Sequence, residues 1–396
     1  MTKKRLRIVY LIGSGYAASY WTVDPLVKLR ELGHDVIAVC PETGTLAQRF
    51  QEKGIETYAV SFPGRLINLI KCLYTINELR KLFIALKPDI VHYQITHAIF
   101  LGRVAAWLAR VPVRITQWPG PAPLKRKSYH LADLLTAWID GAIIATSTEM
   151  AGIYAKYPLA SIRKKARLIY YGYSSERFRP GVNGLSLRKK YGASDKDFVV
   201  AMVAYFYPPT KDLYNGFGLK GHEILFKAAS ETVKQDTHIK FWIVGDNVTE
   251  NAKWYKDYLK EYAHKLNLDD NVVFTGLIQD TPSVYAACDA LVMPSFTEGI
   301  GGSAIEALLM ERPVVASTVG EMAHAVRDNE SGFLVPPGEP HALAEAILKL
   351  SRLSPERRRE MGRAGRRIAM EIFDMDKVAR QTGELYMELL SQHEAG

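Results

Sequence analysis

The sequence predicts an α/β protein built from two Rossmann-like, doubly wound domains that face a cleft. Three observations support this prediction: a length of 396 residues, short apolar runs that alternate with helical segments, and a restart of that alternation near mid-chain. One hydrophobic core rarely serves so long a chain, because cores stop growing at about 250–300 residues. Strands that are apolar throughout are typical of parallel sheets covered by helices on both faces.

The first domain is predicted over residues 1–174. Two of its segments, Ile67–Leu86 and His97–Ala109, carry apolar residues at helical spacing. Short apolar runs around these segments have the length of buried strands. The runs are Ile8–Ile12, Val36–Cys40, Ile90–Gln94, Val113–Gln117 and Ala142–Thr146.

The second domain is predicted over residues 175–375, and a C-terminal helix over 376–396 is expected to pack back on the first domain. Ligands of such sheets bind at the carboxyl ends of the strands, so binding residues are expected in the loops that follow the apolar runs. The runs here are Phe198–Val203, Ile239–Val244, Val272–Phe274, Ala290–Met293, Val314–Ser317 and Phe333–Val335.

Composition is that of an ordinary globular protein, with 48% hydrophobic and 23% charged residues. No apolar run approaches the roughly 18 residues of a membrane span, and the basic start leads directly into the first strand. The three cysteines form no metal or disulfide pattern. We therefore expect a cytoplasmic protein without a transmembrane segment.

Positive charge is concentrated in the first domain. Residues 1–174 contain 24 Lys and Arg against 11 Asp and Glu, whereas residues 175–396 contain 27 against 31. Such an excess attracts an anionic partner, which we expect to be phosphorylated, lipidic or nucleic. For contact with a membrane, this positive charge predicts at most a peripheral association with the inner face. The apolar spacing of Leu66–Phe83 fits either a membrane surface or packing against the sheet.

Two glycine-containing loops follow predicted strands. Gly13-Ser-Gly15 resembles a dinucleotide fingerprint, but Ala18 replaces the third glycine, so Gly15 belongs either to a phosphate loop or to a tight turn. The segment Pro294–Leu308 is richer, because glycines and a helix start near Ser303 converge after a strand. Backbone N–H groups and the positive end of a helix there predict a diphosphate site.

The same helix start has a structural interpretation. Ser303 and Glu306 have the spacing of a capping box, in which the Glu carboxylate accepts from the Ser N–H. From spacing alone, this interpretation and the diphosphate site both remain open.

Glu298 and Glu306, separated by seven residues, resemble the paired glutamates of retaining glycosyltransferases of family four, which have the GT-B architecture. Nearly the whole chain takes part in this resemblance, which is specific in combination rather than motif by motif. The other matching segments are Asn271–Gly276, Arg312–Glu321, Ser331–Gly338, Ile169–Gly172 and the closing helix from Phe373 to Tyr386.

The resemblance implies roles for residues of the second domain. Glu298 would bind hydroxyls of the donor sugar, Glu306 the ribose diol, and Lys220 the β-phosphate as the glycosidic bond breaks. The nucleotide is expected to be UDP, with no metal or other cofactor and no protein nucleophile. Phosphate contacts would come from the N–H groups of Ile300, Gly301, Gly302 and Ser303, and base contacts from Leu277 and Ile278. Gly299 would also belong to the donor-binding residues.

Two positions depart from the family pattern. Tyr205 stands where the family usually has an arginine, and Lys211, in the long loop that follows, is either a replacement cation or an ordinary solvated lysine. Gln117 stands where family members often have a histidine. On the acceptor side, His92 and His97 flank the end of a predicted strand, and each is either an acceptor contact or a structural histidine.

The remaining patterns are weaker. Asp374 and Asp376 have the spacing of a DxD metal motif, but they precede a helix, where Asp is a common cap. The resemblance leaves open a GT-B relative with epimerase or phosphorylase chemistry. A basic nucleic-acid-binding protein is favoured only by the charge, because the sequence has no zinc-finger, RNP or helix-turn-helix signature. The predicted reaction is transfer of a sugar to an acceptor hydroxyl in glycan, glycolipid or small-molecule biosynthesis.

Overall fold

The computed structural model describes residues 4–15, 19–63, 68–121, 123–209, 214–247 and 249–395. Contacts within the chain divide it into two compact units. The first unit comprises Met1–Ser174 and Phe373–Gly396, and the second comprises Ser175–Ile372.

In its described part, the first unit is a seven-stranded parallel sheet in the order β3-β2-β1-β4-β5-β6-β7, with helices on both faces. The strands are β1 Arg7–Ile12, β2 Asp35–Cys40, β3 Glu56–Ala59, β4 Ile90–Gln94, β5 Val113–Trp118, β6 Ala142–Ala145 and β7 Ala166–Leu168. The helices are α1 Ser19–Glu31, α2 Leu46–Glu52, α3 Leu69–Leu86, α4 Thr96–Leu108, α5 Lys127–Thr136, α6 Thr148–Ala155 and α7 Ala160–Arg163, with 3-10 turns at Pro123–Lys125 and Ala137–Ile139.

Alternate residues of the central strand β1 enter two separate cores. Val9 and Leu11 pack with residues of α3 and α4, whereas Ile8, Tyr10 and Ile12 pack on the opposite face with residues of α1 and α2. The C-terminal helix, Met375–Ala395, packs into this second core through Leu385 and Leu389. Both faces of the strand are therefore buried, which explains why its sequence is apolar throughout.

The second unit is a six-stranded parallel sheet in the order β10-β9-β8-β11-β12-β13, counted over its described residues. The strands are β8 Phe198–Val203, β9 Ile239–Val244, β10 Val272–Gly276, β11 Ala290–Met293, β12 Val314–Ser317 and β13 Gly332–Val335. The helices are α8 Leu185–Lys190, α9 His222–Val233, α10 Lys253–Lys265, α11 Thr281–Ala287, α12 Gly302–Leu309, α13 Met322–Ala325, α14 Pro340–Ser351 and α15 Pro355–Phe373, with 3-10 turns at Tyr214–Gly216 and Glu250–Ala252; α16 Met375–Ala395 closes the chain.

The predicted fold class is confirmed, and the strand order locates the place where a ligand binds in such sheets. In the second unit β8 lies between β9 and β11, so the loops after β8 and β11 diverge and open a crevice at the carboxyl edge. In the first unit β1 and β4 stand in the same relation. Strands β3 and β7 are missing from the prediction, because these edge strands are only partly buried and lack an apolar run.

The two chain segments that join the units meet inside the first unit. The N–H of Tyr173 donates to the carbonyl of Phe373 at 2.7 Å, and the N–H of Met375 donates to the carbonyl of Tyr173 at 3.1 Å. A Cβ at Gly172 would lie 2.8 Å from the Cα of Met375, so this close approach needs a glycine. The chain thus leaves the first unit and returns to it at neighbouring points.

No helix in the described part of the chain is long and apolar enough to cross a membrane.

Candidate active site

Lys220 and Glu298 form an ion pair at the carboxyl edge of the second sheet. The Lys220 Nζ lies 2.7 Å from the Glu298 Oε1, and the two side chains are 20% and 9% exposed. Lys220 belongs to the connection that follows β8, and Glu298 belongs to the loop after β11. The pair therefore lies where the strand order reverses, as the sequence predicts for a ligand site.

Backbone contacts bring the two loops together. The N–H of Phe296 donates to the carbonyl of Leu219 at 3.0 Å. Gly221 has a φ of 72°, and a Cβ there would lie 2.1 Å from the carbonyl oxygen of Pro294. Only glycine accepts both the positive φ and this approach, so the residue after Lys220 allows the loops to run side by side.

Two buried side chains support the pair, and sequence reasoning did not find them. The hydroxyl of Ser295 donates to the Glu298 Oε1 at 2.6 Å. Glu223 accepts from the N–H of Gly218 at 3.2 Å and from the Tyr255 hydroxyl at 2.7 Å, which fixes the turn before Lys220. Burial raises the pKa of the Glu223 carboxyl. Nothing in the local sequence shows these contacts, because they join distant segments.

A helix begins directly after the glutamate loop. Gly301, the residue before α12, has a φ of 73°, and a Cβ there would lie 2.3 Å from the Met322 Cε and 2.6 Å from the Met293 Cε. The first N–H groups of a helix have no partner within the helix and carry its positive end. Gly302 and Ser303 therefore present backbone donors, as the diphosphate prediction requires.

The capping-box interpretation of this helix start is wrong. Ser303 is the second residue of α12 rather than the residue before it, and its hydroxyl approaches the Met293 Sδ at 3.5 Å. Glu306 is buried and accepts from the Tyr285 hydroxyl at 2.7 Å. The helix begins two residues earlier than the capping box requires, because Gly301 can adopt the left-handed conformation that starts it.

The backbone between Glu298 and Gly301 also contacts Gly320 and Glu321, which follow strand β12. The carbonyl of Gly299 accepts from the N–H of Glu321 at 3.1 Å. A Cβ at Gly320, which has a φ of 55°, would lie 2.4 Å from the Glu298 carbonyl oxygen. Ile300 is buried with 6% of its surface exposed. These contacts hold the loop in a defined shape before any ligand binds.

The other predicted contacts of the second unit lie at the same edge of the sheet. Tyr205 is 48% exposed, and it is the ring of Tyr207 that approaches Lys220, at 5.8 Å from its Nζ. Leu277 is exposed and Ile278 half-buried, and both follow the outermost strand β10. Lys211 lies outside the described residues.

In the first unit, the loops after β1 and β4 lie side by side. The N–H of Gly13 donates to the carbonyl of Gln94 at 3.0 Å, and a Cβ at Gly15 would lie 1.7 Å from the Thr43 carbonyl oxygen. Ile95 has a φ of 70°, a strained conformation for a β-branched residue. It precedes the first turn of α4, where His97 is half-buried and burial lowers its pKa. Strain of this kind often occurs at functional sites, and the sequence gives no sign of it.

His92 and Gln117 are core residues of the first unit. The His92 Nδ1 lies 2.6 Å from the Tyr386 hydroxyl, and burial lowers the pKa of His92 to about 3. Gln117 accepts from the Tyr10 hydroxyl at 3.0 Å and also contacts Gln94. His92 is therefore a structural histidine of the core rather than a residue that could contact an acceptor.

The DxD-like aspartates serve a helix end. Asp374 accepts from the N–H of Lys377 at 3.1 Å, as an N-cap does, and Asp376 pairs with Lys28 at 3.0 Å. In the described residues no group of three or more His, Cys, Asp or Glu is arranged to hold a metal ion.

Two family models match this chain, one in each unit. Residues 26–172 match the glycosyl transferase 4-like domain, and residues 213–352 match the glycosyl transferases group 1 model. The chain is similar to the UDP-Gal:alpha-D-GlcNAc-diphosphoundecaprenol alpha-1,3-galactosyltransferase of Escherichia coli, with 26% identity over 80% of each chain. It is also similar to the capsular polysaccharide biosynthesis glycosyltransferase CapM of Staphylococcus aureus, with 27% identity over 83% of this chain and 84% of CapM.

Solved structures agree in fold. HepE of Anabaena, crystallised with UDP and with UDP-glucose, has TM-scores of 0.83 and 0.82 at 20% and 21% identity, over 97% of this chain and 100% of HepE. The protein is thus an enzyme of the glycosyltransferase class with the two-domain GT-B architecture. It belongs to the family-four-like glycosyltransferases that its motifs resemble.

Proposed function

We propose that this enzyme transfers a hexosyl group from a UDP-sugar to an acceptor hydroxyl and retains the anomeric configuration. The observation that carries the proposal is the Lys220–Glu298 pair beside the N-terminus of α12. A cation and a helix N-terminus suit a diphosphate, and a carboxylate next to them suits the hydroxyls of a sugar.

Lys220 is proposed to act on the leaving group. Negative charge grows on the β-phosphate as the bond to the sugar breaks, and a fixed cation stabilises that charge where it develops. Because the Lys220 side chain is only 20% exposed, its interaction with phosphate is screened less than that of a surface lysine. In the absence of substrate, Glu298 holds the ammonium group in place.

The two glutamates are proposed to bind different parts of the donor. The Glu298 Oε1 accepts from Lys220 and Ser295, which orients the carboxylate and leaves Oε2 for a sugar hydroxyl. Glu306 is oriented by the Tyr285 hydroxyl and is proposed to accept from the ribose diol. Backbone groups of Leu277 and Ile278 are proposed to contact the base, and a donor contact at Gly15 stays a prediction from the sequence.

The nucleotide is proposed to be UDP, and no metal ion is proposed to take part. Support for UDP comes from the E. coli relative, which is named for UDP-Gal, and from HepE, crystallised with UDP. Lys220 and the α12 N-terminus would supply the charge that a metal supplies in other transferases.

A melting experiment with UDP, GDP and ADP, each with and without EDTA, tests this assignment. A nucleotide at 100 times its Kd stabilises the protein by about 2.7 kcal/mol. We expect this shift for UDP alone, unchanged by EDTA. Preference for another base would contradict UDP, and loss of the shift in EDTA would contradict metal independence. The product of a UDP-hexose reaction, with its anomeric coupling read by NMR, tests retention.

The acceptor is proposed to be anionic and lipid-linked, in the synthesis of a bacterial-type polysaccharide or glycolipid. The positive charge of residues 1–174 supports an anionic partner, and the E. coli relative is named for a diphosphoundecaprenol acceptor. The acceptor would contact the first unit near His97 and the strained Ile95. Such an acceptor would place the enzyme at the cytoplasmic surface of a membrane, bound peripherally.

A further inference from the structure

Exposed apolar side chains are concentrated on one face of the first unit. This face consists of α3, α4, α5 and the turn Ala137–Ile139, and we call it the α3–α5 face. On the opposite face, no large hydrophobic side chain is exposed among residues 22–31 of α1, α2 and residues 375–395 of α16, which are the parts of these helices whose side chains the structure describes. The α3–α5 face exposes Leu69, Ile70, Leu73, Tyr74, Ile84, Trp107, Leu108, Leu131, Leu135 and Trp138.

Four of these side chains form a continuous strip across α4 and α5. Leu131 and Leu135 are four residues apart, so they share one side of α5, and Trp138 follows in the 3-10 turn Ala137–Ile139. The indole N–H of Trp138 donates to the Leu135 carbonyl at 2.9 Å. The ring of Trp107 meets the ring of Trp138 edge-on, with 5.9 Å between centroids. The two tryptophans of the strip therefore contact each other.

Helix α3 has two apolar sides with different environments. Cys72, Leu79 and Phe83 are buried against the sheet. This side of the helix therefore agrees with one of the two interpretations of its apolar spacing, packing against the sheet. Ile70 and Tyr74, four residues apart, are 82% and 68% exposed. The helix therefore packs on the sheet and also presents apolar side chains outward from its first two turns.

The charges on the α3–α5 face have one sign. The three helices contain two carboxylates, and neither is exposed: Glu78 is half-buried, and Asp133 is buried in a salt bridge with Arg103. The exposed charged side chains on these helices are Lys71, Lys81 and Lys127. Exposed cations also flank the helices at Lys87, Arg110 and Arg126.

The opposite face differs in this respect too. Helix α16 exposes Glu384, Glu388 and Glu394 as well as Lys377 and Arg380, so its exposed charges have both signs. The first unit therefore carries a cationic, apolar face and a face of mixed charge. An anionic surface with an apolar interior complements the first of these better than the second.

We propose that the α3–α5 face is the surface by which the enzyme lies on an anionic bilayer, an inference that rests on the proposed lipid-linked acceptor. Trp107 and Trp138 would lie at the level of the headgroups, where indole rings are favoured, with the leucines beneath them. The lysines would meet lipid phosphates. A second copy of the chain is a poorer partner, because the same face would set cations against cations.

Sedimentation with lipid vesicles tests the proposal. We expect wild-type enzyme to pellet at low salt with vesicles containing about one third phosphatidylglycerol, and much less at high salt. The variant Trp107→Gln/Trp138→Gln should bind at least tenfold more weakly at every salt concentration. The variant Lys71→Glu/Lys81→Glu/Lys127→Glu should lose at least fivefold per changed residue, and only at low salt.

Matched controls come from outside the face. Trp254, 56% exposed on α10, is changed to Gln, and the exposed Lys260 is changed to Glu. Neither change should alter pelleting. Because the two tryptophans touch, Leu131→Gln/Leu135→Gln serves as a second variant that leaves that contact intact. Melting temperature and stabilisation by UDP are measured for each variant to show that fold and donor site remain.

The outcomes separate this proposal from the proposed function. No pelleting of the wild type at low salt, or equal losses in the Trp254 variant, overturns the bilayer surface. A lipid-independent dimer that the strip variants dissociate also overturns it, because the face would then be an interface between copies. Failure of UDP to stabilise the wild type would contradict the proposed donor only, and the conclusion from the vesicle experiment would be unaffected.

Discussion

Lys220 is held by a carboxylate before any donor binds. Its ammonium group and the Glu298 carboxylate are both mostly withdrawn from water, so neither is a typical surface charge. Removal of one member of such a pair leaves the other without its partner in a poorly solvated place, which is costly. Variants at these positions therefore need a stability measurement beside the kinetic one.

Lys220→Ala should lower kcat by about two orders of magnitude or more, because the group that is proposed to stabilise the departing phosphate is lost. Steady-state kinetics with a UDP-sugar give the measurement, and melting shows whether the fold remains. Lys234→Ala, at the exposed end of α9, is the matched control and should turn over like wild type. Turnover of Lys220→Ala near the wild-type rate would contradict the assignment. A severe effect of Lys211→Ala in its place would move the cation to the preceding loop.

Glu306→Gln should separate donor binding from stability. Gln keeps an oxygen that can accept from the Tyr285 hydroxyl, so we expect a melting temperature close to wild type. The KM for the donor should rise about tenfold, as for the loss of one charged hydrogen bond. Tyr285→Phe is the complementary change, with the carboxylate retained and its buried partner lost. Wild-type kinetics for Glu306→Gln would leave this glutamate with a packing role only.

At the scale of elements, the sequence is sufficient to predict both sheets, because their central strands are buried on both faces and are apolar throughout. The sequence is not sufficient to predict β3 and β7, because strands at a sheet edge are only partly buried and need no continuous apolar run. Glu298, Glu306 and Lys220 are predicted from family motifs. Ser295 and Glu223 are not predicted, because their contacts depend on how loops from distant strands meet. The conformation of Ile95 is likewise imposed by its surroundings.

The start of α12 depends on a glycine that no other residue can replace. Gly301→Ala should displace Met293 and Met322 and move the first N–H groups of the helix. We expect a large fall in both melting temperature and UDP affinity. Gly192→Ala is the control, because Gly192 has a φ of 69° with nothing within 4 Å of an added Cβ. Gly192→Ala should lower the free energy of unfolding only by the strain of the left-handed conformation, about 1–2 kcal/mol. Equal effects of the two changes would mean that the methionine contact is unimportant.

At the scale of the whole molecule, the second unit is an insertion into the first. The chain departs after Ser174 and returns at Phe373, and the bonds of Tyr173 to Phe373 and Met375 bring those points together. The core of the second unit between the sheet and α9, α10 and α14 is formed by residues from Phe198 to Met361, all within the insertion. Such a unit contains what it needs to fold alone.

We therefore expect residues 175–372, expressed alone, to unfold cooperatively and to be stabilised by UDP. Calorimetry and titration measure the two properties. The same fragment with Glu298→Gln is the control: it should still unfold cooperatively, at a lower melting temperature because Lys220 loses its partner, and it should bind the UDP-sugar more weakly. A fragment that is disordered, or folded but indifferent to UDP, would show that the nucleotide site needs the first unit.

The pairing of Tyr173 with the returning chain also bears on how enzymes of this design diversify. Because both junctions of the insertion lie at one bridge, a recombination event needs to match only a single pair of neighbouring backbone positions to replace the whole unit that is proposed to bind the nucleotide. If the first unit recognises the acceptor as proposed, that recognition would be inherited unchanged while the transferred sugar changes. A chimera with the insertion of a related transferase, joined at Ser174 and Phe373, would combine the two specificities in one polypeptide.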